Sequence, residues 1–416
     1  MSTVRYESYR SSDIPWIGEV PSTWRTVPLF SVLKETKLKN SGLVETNLLS
    51  LSYGRIVRKD IDAIGGLLPE SFETYQIVEP DQLIFRFTDL QNDQRSLRSA
   101  RVRERGIITS AYAAARPEGI DARFIEYLMR AYDTTKVFYG LGGGVRQSLK
   151  FSDVARLPVL LPPWIDQVAI VDFLDRETAR IDTLIEEQQR LIEMLRERRV
   201  AAVERSIAML DWTVPFKSVA TLIQTGPFGS QLKSDEYEDG GTPIINPSHM
   251  VAGEIVPDPR VAVSAPKAQE LGRHALMGGD LICARRGDLG RCAVVDESSA
   301  GYLCGTGSAL VRVDPDRIDA PFAALVFSSR RNRDALALAS VGSTMDNLNS
   351  DIIGALRIPL PTLAEQRELV ATVNEQTTKI DELIAETERF IELSRERRAA
   401  LITAAVTGQI DVREVA

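Results

Sequence analysis

The sequence predicts an α+β protein. Two globular α/β heads are separated by two long helices that pair as an antiparallel coiled coil, with an internal two-fold repeat. Three observations carry this expectation. Residues 161–202 align without a gap on residues 360–401, an offset of 199, and 18 of the 42 pairs are identical. So long a period means two copies of a whole module rather than a solenoid. Both copies step through their seam by alternate threes and fours, the spacing of a coiled coil. Each copy is entered at proline and then runs on without Gly or Pro past its Arg-Glu-Arg-Arg, while the segments between are cut into short β-type runs.

In chain order the expected parts are a first head (1–157), a central helix (158–207), a second head (208–357), and a second helix with a tail (358–416). The heads open alike: Thr26-Val27-Pro28 with Ser31-Val32 is echoed by Thr213-Val214-Pro215 with Ser218-Val219. Strands are expected at Leu48–Tyr53 and Gln82–Phe87 in the first head, and at Thr242–Asn246 and Asp280–Ala284 in the second. Each head also has one helical stretch, near Ala122–Tyr132 and Ala320–Leu338. Leu83-Ile84 followed by Asp89-Leu90 recurs as Leu281-Ile282 followed by Asp288-Leu289; beyond such landmarks the heads diverge.

The central helix shows its seam at Val171, Leu174, Thr178, Ile181, Ile185, Gln188, Ile192, Leu195 and Arg199. The second repeats it at Val370, Val373, Thr377, Ile380, Ile384, Thr387, Ile391, Ser394 and Arg398. Proline entry at Pro162-Pro163 and Pro361 gives helices of about 45 residues, each roughly 65 Å long. An apolar stripe of that length needs a partner. The other seam in the same chain is favoured over a globular neighbour or a second chain, and antiparallel pairing relates the halves by a two-fold axis. The polar seam positions are expected to weaken the pairing and to set its register.

Composition is ordinary for globular protein, with 44% hydrophobic and 26% charged residues. The start, MSTVRYESYRSSD, has no apolar stretch, and no run is long enough to span a bilayer, so a cytoplasmic protein is expected. Net charge is −8, but residues 1–157 carry 22 Lys and Arg against 19 Asp and Glu. Charge therefore neither supports nor excludes a nucleic-acid partner. Cys283, Cys292 and Cys304 lie near His249 and His274 without paired short spacing, so buried thiols are favoured over a metal site.

Catalytic signatures are missing. There is no phosphate-binding GxxxxGK[ST] loop. Gly140-Leu141-Gly142-Gly143-Gly144 does not sit between a clear strand and helix. Leu161-Pro162-Pro163-Trp164 faintly resembles the [DN]PP[YFW] motif of amino-methyltransferases, but Leu161 cannot accept hydrogen bonds from an amino group. Leu-Pro reads instead as a helix start. A protein without covalent chemistry of its own is expected.

The order head, helix, head, helix resembles the specificity subunit of type I restriction–modification systems. The resemblance is carried by Ile14-Pro15-Trp16-Ile17-Gly18-Glu19-Val20-Pro21 with Trp24, and by Leu-Pro followed by Gln167 and Gln366 ahead of each helix. Further strings are Gly226-Pro227-Phe228-Gly229-Ser230, Arg285-Arg286-Gly287-Asp288-Leu289-Gly290, Gly342-Ser343-Thr344 and Ala404–Ile410. Asp166 stands where the family usually has Glu. The resemblance implies a non-catalytic reader whose heads are target recognition domains, each contacting half of a split sequence in double-stranded DNA. Two methyltransferase subunits would dock on the helices and restriction motor-nuclease subunits would join them. S-adenosylmethionine, ATP and Mg are expected on those partners, and no cofactor or metal here.

Candidate DNA contacts in the first head are Arg86, Arg95, Arg98, Arg101, Arg103, Arg105, Gly143, Arg146 and Gln147. In the second they are Ser230, Gln231, Asn246, Arg285, Arg286, Ser343, Thr344 and Asn347, with Arg330, Arg331 and Asn349 adding to the cluster. Arg suits guanine edges, Asn and Gln suit adenine, and Ser, Thr and Gly suit phosphates. The competing expectation is a coiled-coil assembly scaffold that does not bind DNA, favoured by the acidic balance.

Overall fold

A computed structural model describes residues 5–60, 71–88, 90, 93, 96–141, 149–228, 231–340 and 348–413. The two repeated segments form helices of 44 residues each, Trp164–Ile207 and Leu363–Val406. The first follows the strand Pro158–Leu161, which Pro162-Pro163 ends. At the second, Thr362 and Glu365 form a reciprocal cap: the Thr362 N–H donates to Glu365 Oε2 at 2.8 Å and the Glu365 N–H to Thr362 Oγ1 at 3.4 Å. Gly408, at φ +72°, ends the second helix, and a Cβ there would lie 2.3 Å from Pro21.

The seams are buried as their spacing requires. Val171, Leu174, Thr178, Ile181, Ile185, Ile192 and Leu195 are buried on the first helix, and Val373, Thr377, Ile380, Thr387, Ile391 and Ser394 on the second. The threonines among the polar positions turn back on their own helices. The hydroxyls of Thr178, Thr377 and Thr387 donate back to the carbonyls of Leu174, Val373 and Leu383 at 2.6–2.9 Å. Each threonine hydroxyl is thus bonded within its own helix, Thr178 also meeting the Tyr127 hydroxyl at 3.3 Å, and among the described residues none of the three bonds across the seam.

The chain divides into two compact units, residues 1–189 with 388–416, and residues 190–387. Each contains one head and a segment of each long helix. In the first unit Arg398 pairs with Asp182 at 2.9 Å, and in the second Arg199 pairs with Asp381 at 2.8 Å. In the first unit Ile170 and Val171 share a core with Ala405 and Val406, and Asp182 farther along meets Arg398 farther back. Ile207 with Val370 and Arg199 with Asp381 repeat this in the second, so within each unit the segments run antiparallel.

The first head holds an antiparallel four-stranded sheet in the order Ser99–Arg101, Leu83–Phe85, Ala113–Pro117, Leu33–Thr36. The second head repeats that order with Cys292–Val294, Leu281–Ala284, Ser308–Val313 and Ala220–Thr225. Each head adds one parallel pairing, a bridge from Leu48 to Ile107 in the first and Ile244 to Leu303 in the second. The repeat thus extends through heads whose sequences diverge, because a strand preserves an alternation of burial rather than particular residues.

The helix expected in the first head runs Ala122–Thr134, and a short one follows at Phe151–Val154. The single helix expected at Ala320–Leu338 is instead two, Ala320–Phe327 and Arg330–Ser340. Ser328 closes the first, and the Ser329 hydroxyl accepts the Asn332 N–H at 3.4 Å while the Asn332 amide donates to the Val326 carbonyl at 3.0 Å. The Ser329 hydroxyl thus caps the start of the second helix, which lets the chain break after Phe327 and begin again at Arg330.

In the first unit Trp24, fully buried, packs edge-on against Tyr6 and Phe124, and its indole N–H donates to Asp166 at 3.2 Å. The tail closes on the same spot: the Tyr9 hydroxyl donates to the Gly408 carbonyl at 2.9 Å and the Gln409 amide to the Glu19 carbonyl at 2.7 Å. The core of the second unit gathers Phe216, Phe322, Phe327, Leu281 and Val311 with Ile207 and Trp212. Each such buried side chain contributes about 1.5–3 kcal/mol. No described helix is long and apolar enough to cross a membrane.

Candidate nucleic-acid interface

Of the candidate contacts, Arg95, Gly143, Arg146, Gln147, Ser230, Ser343, Thr344 and Asn347 lie outside the described residues. The others fall into two groups.

In the first head the arginines expected on an exposed basic face are tied into the framework. Arg98 is fully buried: its guanidinium donates to the Tyr139 hydroxyl and the Thr88 carbonyl at 3.1 Å and to the Asp93 carbonyl, and its backbone N–H donates to Asp133 at 2.5 Å. Arg101 is buried between Glu126 at 2.9 Å and Asp81 at 2.5 Å. Both are corrected from DNA contacts to interior braces, since a guanidinium with those partners cannot turn to a base without leaving buried charge unpaired. Arg86 lies 3.9 Å from Asp93, Arg103 3.3 Å from Glu126, and Arg105 within 3.1 Å of both Glu45 and Glu79. These three are more accessible, but their charge is already answered.

The second head presents a more open set. Arg285 and Arg286 begin the turn between the strands Leu281–Ala284 and Cys292–Val294. The Arg285 N–H donates to the Gly307 carbonyl at 3.0 Å and its Nε to the Leu348 carbonyl at 3.0 Å. Burial, and then the neighbouring Arg286, pull the Arg285 guanidinium below its usual pKa. Arg286 is exposed and makes no ion pair among the described residues. Asn246 accepts the Gly307 N–H at 3.3 Å. Gly307 therefore brings Arg285, Arg286 and Asn246 together, and a Cβ on it would lie 2.9 Å from both Arg286 and Pro247. Gln231 lies apart, its side-chain carbonyl accepting the Phe228 N–H at 3.4 Å.

Arg330 lies 3.9 Å from Asp334, Arg331 stacks over Trp212 at 5.1 Å, and Asn349 caps a helix through the Ile352 N–H. The sequence reading missed Gly305 and Gly307 as the platform beneath this site. Their spacing in Gly305-Thr306-Gly307 was the available signal. Gly226 is likewise obligatory, because a Cβ there would sit 1.8 Å from the Gly305 carbonyl oxygen.

The head is joined to its helix in the same way in each unit. Gln167 is buried and accepts the Asp121 N–H while donating to the Pro162 carbonyl, both at 2.8 Å. Gln366 does the same with Asp319 and Pro361, again at 2.8 Å. The glutamine of each Leu-Pro string thus anchors the start of a head helix.

A cavity of about 370 Å³ in the first head is lined by Phe85, Phe87 and Phe151 with Lys37, Lys39 and Lys150, and its lining contains neither histidine nor cysteine. Cys283, Cys292 and Cys304 are buried free thiols, and burial pushes Cys283 and Cys304 well up. Burial, then Arg273, lowers His274 to about 4. Among the described residues no group of three or more His, Cys, Asp or Glu could hold a metal ion.

Residues 210–392 match the family described as type I restriction modification DNA specificity domain. Over 202 residues the chain is 24% identical to the type I restriction enzyme StySPI specificity subunit of Salmonella potsdam, a match covering 48% of this chain and 43% of that protein. It is 23% identical over 204 residues to the type I restriction enzyme EcoKI specificity subunit of Escherichia coli strain K12, with the same coverage. The matches thus span less than half the length of these relatives. In fold, the chain is similar to one from a study of complex assembly and conformational transition of the type I R-M system. The TM-score is 0.71 at 18% identity, covering 93% of this chain and 98% of that one. It is also similar to the HsdS subunit from Thermoanaerobacter tengcongensis, with a TM-score of 0.55 at 18% identity, covering 94% and 98%.

Proposed function

We propose that this chain, a relative of type I restriction–modification specificity subunits, is a non-catalytic reader of a bipartite sequence in double-stranded DNA. Each head reads one half, and the long helices dock two methyltransferase subunits and the restriction motor-nuclease subunits. S-adenosylmethionine, ATP and Mg belong to those partners, and the complex works in the cytoplasm. The observation that carries this reading is the doubled head: one sheet order and one glutamine anchor, used twice on unlike sequences. Two different readers on a common frame suit a target with two different halves.

Methylome sequencing of cells with and without the chain tests the reading and yields the target. Exchanging residues 208–357 for another relative's second head should change one half of the methylated sequence. A change in both halves, or in neither, would overturn independent reading.

A second reading, an assembly scaffold that does not bind DNA, is favoured by the ion-paired arginines of the first head and the net charge of −8. Salt-dependent duplex binding separates the two, since a DNA reader must lose affinity steeply as salt rises.

A further inference from the structure

In the first head the strands Leu49–Ser52 and Arg55–Arg58 form a hairpin whose two-residue turn is Tyr53-Gly54. Both turn residues have positive φ, 45° and 74°. A turn of that kind is best served by Asn-Gly or Gly-Gly, and a bulky aromatic in the left-handed region is held there at a conformational cost. Packing does not repay it, because Tyr53 is 73% exposed. The turn is nevertheless held firmly. Arg130 donates to the Gly54 carbonyl at 2.6 Å, and a Cβ on Gly54 would overlap Arg130 at 2.3 Å and Leu97 at 2.8 Å. An exposed ring on a strained, anchored turn is the kind of outlier that points to use.

The surroundings indicate the partner. Arg55 is exposed beside Tyr53 and makes no ion pair among the described residues. Arg130 lies behind the turn. Burial lowers its pKa most, Glu126 and Asp133 oppose that, and the positive charges of Arg398 and Arg55 add to it. The tip is thus a cationic, aromatic projection.

The second head carries the same hairpin 199 positions on, Met250–Val251 with Glu254–Ile255, and its turn Ala252-Gly253 also has positive φ, 52° and 88°. There the ring is replaced by a methyl, and Arg55 by Glu254. The backbone device is repeated and its chemistry is not.

We propose that the Tyr53–Arg55 tip is a DNA-contacting finger of the first head alone. Arg55 takes a backbone phosphate and the Tyr53 ring enters the adjoining groove, while the second head's hairpin, with Glu254 on it, stays off the phosphates. This rests on the reading of the chain as a DNA-binding protein.

The test uses the full chain and a fluorescein-labelled duplex of random sequence, with anisotropy followed across a salt series. Tyr53→Asn restores the preferred turn residue, so its melting temperature should hold or rise while affinity falls roughly fivefold. Arg55→Ala should weaken binding and lower the salt slope by about one. Glu254→Ala should not weaken it. If the parent binds and both first-head variants bind within a factor of about two of it, the finger is wrong and the DNA reading stands. If the parent does not bind duplex at any salt concentration, the DNA reading itself falls and the finger with it.

Discussion

The side-chain carbonyl of Gln167 accepts the backbone N–H of Asp121 at 2.8 Å, joining the first turn of a long helix to the first turn of a head helix 46 residues earlier. Asp121 is the N-cap of that helix, so the bond fixes where the head begins relative to the spacer. Gln366 and Asp319 repeat it, which makes the joint a designed part of the module rather than a local accident of packing.

Removing that joint should be costly. Gln167→Ala leaves the Asp121 N–H and the Pro162 carbonyl without their partner, and the expected loss is about 1–3 kcal/mol. Gln366→Ala should cost a similar amount. Urea unfolding of each variant measures this, and a loss under about 0.5 kcal/mol in both would show that the glutamines are not joints.

Antiparallel helix pairing can be trapped chemically. Arg398 meets Asp182, so stepping four residues back on the first helix and four forward on the second sets Thr178 opposite Ile402. Cysteines at those two positions should cross-link efficiently. Cysteines at Thr178 and Thr377 should not, and efficient linking there would show parallel pairing.

Arg98 and Arg286 should separate framework from contact. Arg98→Ala empties a fully buried site and removes the guanidinium donor to the Tyr139 hydroxyl and the Thr88 carbonyl, so a destabilisation of about 3–5 kcal/mol is expected. Arg286→Ala touches an exposed side chain and should leave the unfolding midpoint in place while lowering the salt slope of duplex binding by about one. The opposite pattern would restore Arg98 as a DNA contact.

Gly226→Ala should destabilise the second unit by roughly 3 kcal/mol or more, because its Cβ would meet backbone rather than a movable side chain. The first unit should melt unchanged. Calorimetry with separable transitions would show both effects, and a fully native profile would contradict the close approach of Gly226 to Gly305.

Asp133 predicts a pH dependence. Burial lifts its carboxyl to about 6, against the Arg98 N–H and the nearby Arg130 that pull it down. With the folded value raised above the unfolded one, the folded state holds the proton more tightly. Its favourable contribution is therefore complete below about pH 4 and is lost as pH rises through about 6. Asp133→Asn should flatten that fall and raise stability at neutral pH by about 1–3 kcal/mol relative to the parent. Parallel stability–pH curves for parent and variant would contradict it.

What could be read from the sequence was what depends on near neighbours. A seam with a three-four step identifies its own buried face, and the long helices lie where that step and the flanking prolines place them. The strands at Leu83–Phe85 and Leu281–Ala284 were legible for the same reason, as short apolar runs between turn residues. The tertiary structure decided what depends on distant partners. Arg98 and Arg103 look alike in sequence, but only Arg98 lies where Tyr139, Thr88 and Asp133 converge, so one is interior and the other faces out. The likeness of the two heads was hidden because a sheet is held together by register and alternate burial, which many residue sets satisfy. Gly307 became visible as the link between Arg285 and Asn246 only when strands far apart in sequence were laid side by side, because a hydrogen bond between distant segments leaves no periodic trace in either one.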